Sequence, residues 1–129
     1  MEDVKIKALI VDDENDFRKL MAFWMKSKGY TVFEASNGQE AVAAAKEAKP
    51  DIIFMDLNMP VMDGNEALKK IREFNKDVPV IIISAYVEDK RAKEAMSAGI
   101  SGVFYKGADF KEGLTLLESA LHTHRQLKK

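Results

Sequence analysis

The sequence predicts an α/β fold: a doubly wound, five-stranded parallel sheet of order 2-1-3-4-5, flavodoxin-like, following a (βα)5 path. Three observations carry that prediction. Short apolar runs alternate with helix-period segments from one end of the chain to the other, the signature of strand–helix–strand units. Three of the five runs are apolar throughout, as strands buried on both faces must be. The 129 residues, 47% hydrophobic and 32% charged, suit one globular core that buries roughly two-thirds of the unfolded surface.

Each element follows from its own residues. Ile6–Val11 is the first run, and Phe17, Leu20, Met21 and Trp24 follow at spacings of three and four, one face of a helix. Gly29 stands where a helix C′ glycine belongs. Tyr30–Ala35 is the second strand, and Glu34, which reads as exposed, marks it as an edge. Asn37 caps a helix that runs to Ala48, and Pro50 stops it. Ile52–Met55 is the third run and ends in Asp56; Ala67, Leu68 and Ile71 make a helix of Asn65–Phe74. Val80–Ile83, β-branched throughout, ends in Ser84, and Glu88–Ala98 is a helix closed by Gly99. Val103–Tyr105 ends in Lys106, and Phe110, Leu114, Leu117 and Leu121 form the stripe of a last helix. These five units account for residues 1–129, so the chain reads as a single domain with no output domain attached.

Composition removes several function classes. Twenty Lys and Arg against 21 Asp and Glu leave a formal charge of −1, which argues against a nucleic-acid binder or a polybasic membrane anchor. The absence of cysteine excludes disulfides, thiolate metal sites and cysteine nucleophiles. The apolar runs are too short to span a membrane, and a cytoplasmic location is the default. His122 and His124, two apart on a helix, face different ways and form no metal pair. Most of the seven methionines read as core, Met59 and Met62 as lying in the loop after Asp56 and bordering the site, and Trp24 as part of the first helix's stripe.

In doubly wound sheets ligands bind at the carboxyl ends of the strands, near the switch point between strands one and three. Here those ends carry Asp12 and Asp13, Asp56, Ser84 and Lys106. Singly each has a plainer reading: Asp13 or Ser84 as a helix cap, Asp56 as a turn residue, Lys106 as a solvated strand end. Together, three carboxylates, a hydroxyl and an ammonium on one rim are improbable by chance. Two carboxylates about 4 Å apart repel by roughly 4 kcal/mol at an effective dielectric of 20, so three together need a cation or a proton. Oxygen donors suit Mg²⁺ or Mn²⁺. A divalent ion beside an Asp and a Lys would neutralise an incoming phosphoryl group.

The motifs LIVDDE at Leu9–Glu14, FMDLNMPVMDG at Phe54–Gly64, IIISA at Ile81–Ala85 and YK at Tyr105–Lys106 give the chain its family likeness. It resembles the receiver domain of two-component response regulators, the CheY-like family that includes the single-domain chemotaxis regulator. The resemblance implies that Asp56 is the phosphoryl acceptor. It implies that Asp13, Asp56 and the backbone carbonyl of Asn58 ligate Mg²⁺ (or Mn²⁺), with Asp12 acting mainly through water. Ser84 would donate its hydroxyl to a phosphoryl oxygen, and Lys106 would pair with the carboxylate or the phosphoryl group. The implied donor is a sensor histidine kinase or a histidine phosphotransfer protein. The implied receiver of the signal is a downstream protein target or a missing output domain. A signalling domain rather than an enzyme is expected, monomeric or a weak phosphorylation-dependent dimer, binding neither nucleic acid nor membrane.

Three positions depart from the family pattern. Gly107 stands where a proline usually follows the lysine, Val103 where a switch aromatic is common, and Ser84 where threonine is more frequent. Without proline the Lys106–Gly107 bond is expected trans, in a mobile loop that leaves Lys106 to settle on phosphoryl binding. Without the aromatic, the activation change is expected in the Ser84–Glu88 and Gly107–Phe110 loops and between the last two helices. Asn58 and Tyr86 are expected to flank the path of the attacking water, with Tyr86 obstructing it. The rival readings are a phosphatase-like enzyme, which would need a second Asp where Asn58 stands, and a receiver-like module that is never phosphorylated. A flavin or nucleotide binder fits less well, because the first β-α turn is acidic rather than glycine-rich.

Overall fold

The apolar runs form strands in which successive side chains enter opposite layers, and the layers are helical. A computed structural model of the chain describes residues 5–59, 61–85 and 99–127, with side chains through residue 122. Its elements are β1 (Lys7–Val11), α1 (Asn15–Ser27), β2 (Thr31–Ala35), α2 (Gly38–Ala48) and β3 (Ile52–Asp56), then α3 (Gly64–Phe74), β4 (Val80–Ser84), β5 (Gly102–Tyr105) and α4 (Phe110–Leu127). The strands pair in parallel in the order β2-β1-β3-β4-β5, as expected. The helix expected over Glu88–Ala98 and the expected role of Tyr86 lie outside the described residues.

Alternation along each strand divides the core in two. Leu9, Val11, Ile53, Met55, Val80 and Ile82 pack with the inner faces of α2 and α3. Ala8, Ile10, Ile52, Phe54, Ile81, Ile83 and Phe104 pack with α1 and α4. In the central strands β3 and β4 every residue is buried, which explains their lack of polar residues until the last position.

Helix ends follow local chemistry. Asn37 Oδ1 accepts from the Glu40 amide at 2.8 Å, the expected cap. Asp63 Oδ1 does the same for Glu66 at 2.9 Å, so α3 starts at Gly64 rather than Asn65. Gly29, at φ +96°, takes the left-handed turn after α1 that favours glycine.

Three expectations need correction. Leu20 is 56% exposed, because the inward face of α1 centres on Met21 and Met25 and Leu20 turns outward beside Phe23. Trp24 does pack inward, stacked on Phe110 with ring centroids 5.8 Å apart. β2 is an edge strand as expected, but Glu34 on it is not simply solvated: its carboxylate accepts from Arg18 Nε at 3.0 Å, and Lys19 lies 3.2 Å away. Met59 is buried among the α2–α3 core residues and Met62 packs against them, so both serve the packing of the loop after Asp56.

Candidate functional site

Parallel strands end together, and here the ends of β1, β3, β4 and β5 deliver the predicted polar residues to one rim. Asp12, just past β1, is fully buried; Asp56 and Ser84 end β3 and β4 at 4% and 2% exposed. Asp56 lies level with Ile83 across the ladder, which places Ser84 one residue beyond it on the adjacent strand. The Lys106 amide donates to the Ser84 carbonyl at 2.9 Å and so fixes the end of β5 to that of β4. Asp13 is exposed at the mouth. Asp12, Asp13 and Asp56 each offer a carboxylate oxygen, all within 4.8 Å of one another.

The Lys106 ammonium sits among these acids. Nζ lies 3.1 Å from Asp12 Oδ2 and 3.4 Å from Asp56 Oδ2, donates to Glu14 Oε1, and lies 5.1 Å from the centroid of the Phe17 ring. Asp12 Oδ1 accepts from the Glu14 amide at 2.9 Å. Asp12 Oδ2 has the charge contact with Lys106 but no directed hydrogen bond. Asp56 Oδ1 accepts from the Asn58 amide at 3.0 Å. Burial raises the Asp56 carboxyl from 3.8 to about 7, with the Asp12 charge adding to the rise and the Asn58 amide and Lys106 opposing it. Burial would lower the Lys106 pKa, but the hydrogen bond to Glu14 and the Asp56 and Asp12 charges outweigh it and hold the ammonium above the usual lysine value.

The geometry corrects two readings of the rim. Asp13 does not cap α1; Glu14 holds the N-cap position. Lys106 does not wait for a ligand to settle, because three carboxylates already surround it. The Lys106–Gly107 bond is trans, and a Cβ at Gly107 would meet nothing within 4 Å. Gly64 has the opposite surroundings: a Cβ there would stand 2.4 Å from the Asp56 carbonyl oxygen, so the turn behind the acidic residue closes only on glycine. His122 is exposed, and the side chain of His124 lies outside the described residues.

The parts that Arg18, Glu14 and Phe17 play at this rim escape the sequence reading, which has Phe17 only in the stripe of the first helix and Glu14 only as the end of a motif. Buried Arg18 donates to the Asp12 carbonyl at 2.7 Å, to Glu34 Oε1 at 3.0 Å and to Asn15 Oδ1 at 2.5 Å. It thereby ties the acidic turn to the edge strand. A signal was present: Arg18 shares the spacing of Met21, Ala22 and Met25, so a charge falls on an inward face opposite the one acidic residue of β2.

A rim of this composition on a 2-1-3-4-5 sheet defines a response regulator receiver domain, and the family model of that description matches residues 8–118. The chain belongs to this family. It is 36% identical over 124 residues to the transcriptional regulatory protein ZraR of Klebsiella oxytoca, covering 95% of this chain and 28% of that protein. It is 35% identical over 106 residues to the sporulation initiation phosphotransferase F of Bacillus subtilis, covering 82% of this chain and 86% of that one. Among solved structures, the Vibrio cholerae chemotaxis protein CheY4 superposes with a TM-score of 0.85 at 30% identity, over 91% of this chain and 99% of that chain. The chain spans about a quarter to a half of the length of ZraR and two other regulatory relatives. Among the described residues, no helix is long and apolar enough to cross a membrane.

Proposed function

We propose that the chain receives a phosphoryl group on Asp56 from the phosphohistidine of a sensor kinase or phosphotransfer protein in the cytoplasm. The observation that carries this reading is the buried Asp56 carboxylate with Lys106 3.4 Å away and two further acids within reach. An Asp56 oxygen forms a bond to phosphorus while the P–N bond to the donor imidazole breaks. The bonding pair stays on the imidazole nitrogen. Lys106 offsets the charge of the acyl phosphate, and Ser84 donates its hydroxyl to a phosphoryl oxygen. Water later hydrolyses the acyl phosphate to carboxylate and inorganic phosphate, so the chain turns over nothing but its own phosphoryl group.

The residues fit a hard divalent cation. The donors are all oxygens, and a buried Asp12 oxygen lacks a directed hydrogen bond. Asp12, Asp13, Asp56 and the Asn58 carbonyl would hold Mg²⁺ or Mn²⁺, which when bound neutralises charge on the acceptor and phosphoryl oxygens. The signal would leave through phosphorylation-dependent binding of a protein target. Asp56→Asn tests the acceptor: intact-mass measurement after incubation with Mg²⁺ and acetyl phosphate is expected to show one phosphoryl group on the natural chain and none on the variant. Stoichiometric labelling of the variant at another residue would overturn the assignment.

A further inference from the structure

Glu14 occupies the N-cap of α1 with extended backbone, φ −81° and ψ 104°, yet makes no side-chain cap bond. That position favours Ser, Thr, Asp or Asn, whose short side chains close the helix. The Glu14 carboxylate instead accepts from Lys106 Nζ, in the closest of the ammonium's three carboxylate contacts. We infer that Glu14 is a positioning residue that holds Lys106 at the rim and competes with the phosphoryl group for it. The inference rests on the reading of Asp56 as phosphoryl acceptor.

An ammonium has three N–H donors, and three carboxylates surround this one. A phosphoryl oxygen that takes a donor must therefore displace a carboxylate. The Asp12 and Asp56 side chains, at 0% and 6% exposed, are fixed by the strand ends, whereas Glu14 is 62% exposed and free to swing into water. Glu14 is the partner that yields. The main chain is held on either side of Gly107, by the Lys106 amide on the Ser84 carbonyl and the Ala108 amide on the Tyr105 carbonyl, both at 2.9 Å, which leaves the end of the Lys106 side chain to its own partners. The side-chain partners, with the Phe17 ring face beside the ammonium, set its place. Binding at Asp56 thus includes the breaking of one ion pair, which weakens the site for every phosphoryl ligand.

Titration of the full chain with beryllofluoride at saturating Mg²⁺, followed by calorimetry, tests this. Glu14→Gln is expected to tighten binding by about two- to five-fold, the range of a partly exposed ion pair. In a Lys106→Ala background the same substitution is expected to change nothing, because the competition runs through the ammonium. Equal tightening in both backgrounds would show simple charge repulsion by Glu14 and overturn the inference. So would unchanged or weaker binding by Glu14→Gln alone. A natural chain that binds no beryllofluoride would instead bring down the acceptor reading itself, a result distinguishable from either.

Discussion

At the amino ends of the strands, Arg72 of α3 donates to the carbonyls of Val78 and Gly99 at 2.7 and 2.9 Å. There too Lys7 gives its amide to Asp51 and its ammonium to the Ala48 carbonyl, both at 2.8 Å. At the carboxyl ends, the acids Asp12, Asp13, Glu14 and Asp56 gather around Lys106, and one oxygen of buried Asp12 lacks a directed donor. The first set satisfies three main-chain carbonyls and one main-chain amide that helix and strand ends would otherwise leave unpaired. The second is an excess of charge that folding alone does not neutralise. Charge completed by the chain's own carbonyls is scaffold; charge left in excess is the part of the molecule prepared for a ligand.

The largest expected effect probes the scaffold end. Arg72→Ala removes the bonds to Val78 and Gly99 and is expected to destabilise the chain by about 3 kcal/mol, since hydrogen bonds from a charged group contribute more than neutral ones. Urea unfolding measures the loss. Labelling of the folded variant by acetyl phosphate should match the natural chain, and a labelling defect in fully folded protein would dissolve the distinction between the two ends.

Next in size is the pH response of the rim without metal. The folded Asp56 carboxyl titrates near 7 against 3.8 for the ordinary group, because burial penalises its charge. A folded pKa above the unfolded one means that the native state binds the proton more tightly. This contribution is complete below pH 4, declines as the pH rises to about 7, and is flat above that. Asp56→Asn removes the decline and is expected to raise the stability of the metal-free chain at pH 8 by on the order of 2 kcal/mol. A variant with the natural chain's pH slope would locate the titration elsewhere.

Mg²⁺ sharpens the comparison further. A cation that binds only the folded rim is expected to stabilise it by roughly 1–3 kcal/mol at concentrations well above its dissociation constant. Asp13→Ala should remove most of the rise in melting temperature. The same titration on Arg72→Ala should show the full rise from a lower starting point. An undiminished rise in Asp13→Ala would place the cation away from this rim.

How far the sequence discloses each end follows from the same physics. Asp12, Asp56, Ser84 and Lys106 were legible because each interrupts an apolar run that parallel burial requires, and parallel strands end side by side. Arg18 and Glu14 were harder to see because they lie in a helix start rich in polar residues, where only the crossing of α1 over the sheet decides which of them is buried. Leu20 was misplaced for a related reason: a spacing of three from Phe17 fits the inward arc and its outer margin equally well. That Lys106 is already held depended on a side-chain contact to Glu14 across most of the chain's length, which no local pattern records.

The smallest expected effect concerns backbone strain, and again the two ends differ. Lys49, the C-cap of α2 near the start of β3, has φ 48° and ψ 62°, a left-handed position at a place where helices commonly adopt one. Val61, in the loop after Asp56, has φ 71°, and its β-branched side chain makes that conformation costlier than it is for an unbranched residue. At 81% exposed, the Val61 side chain contributes little packing in return. Val61→Asn replaces the exposed apolar side chain with a polar one that tolerates the left-handed region and is expected to stabilise the chain by about 1 kcal/mol. Lys49→Asn should change stability by only a few tenths of that. Thermal unfolding of both variants tests the contrast: a Val61→Asn chain no more stable than the natural one would show that the loop carries no strain, and an equal gain at Lys49 would show that strain is not confined to the ligand end of the sheet.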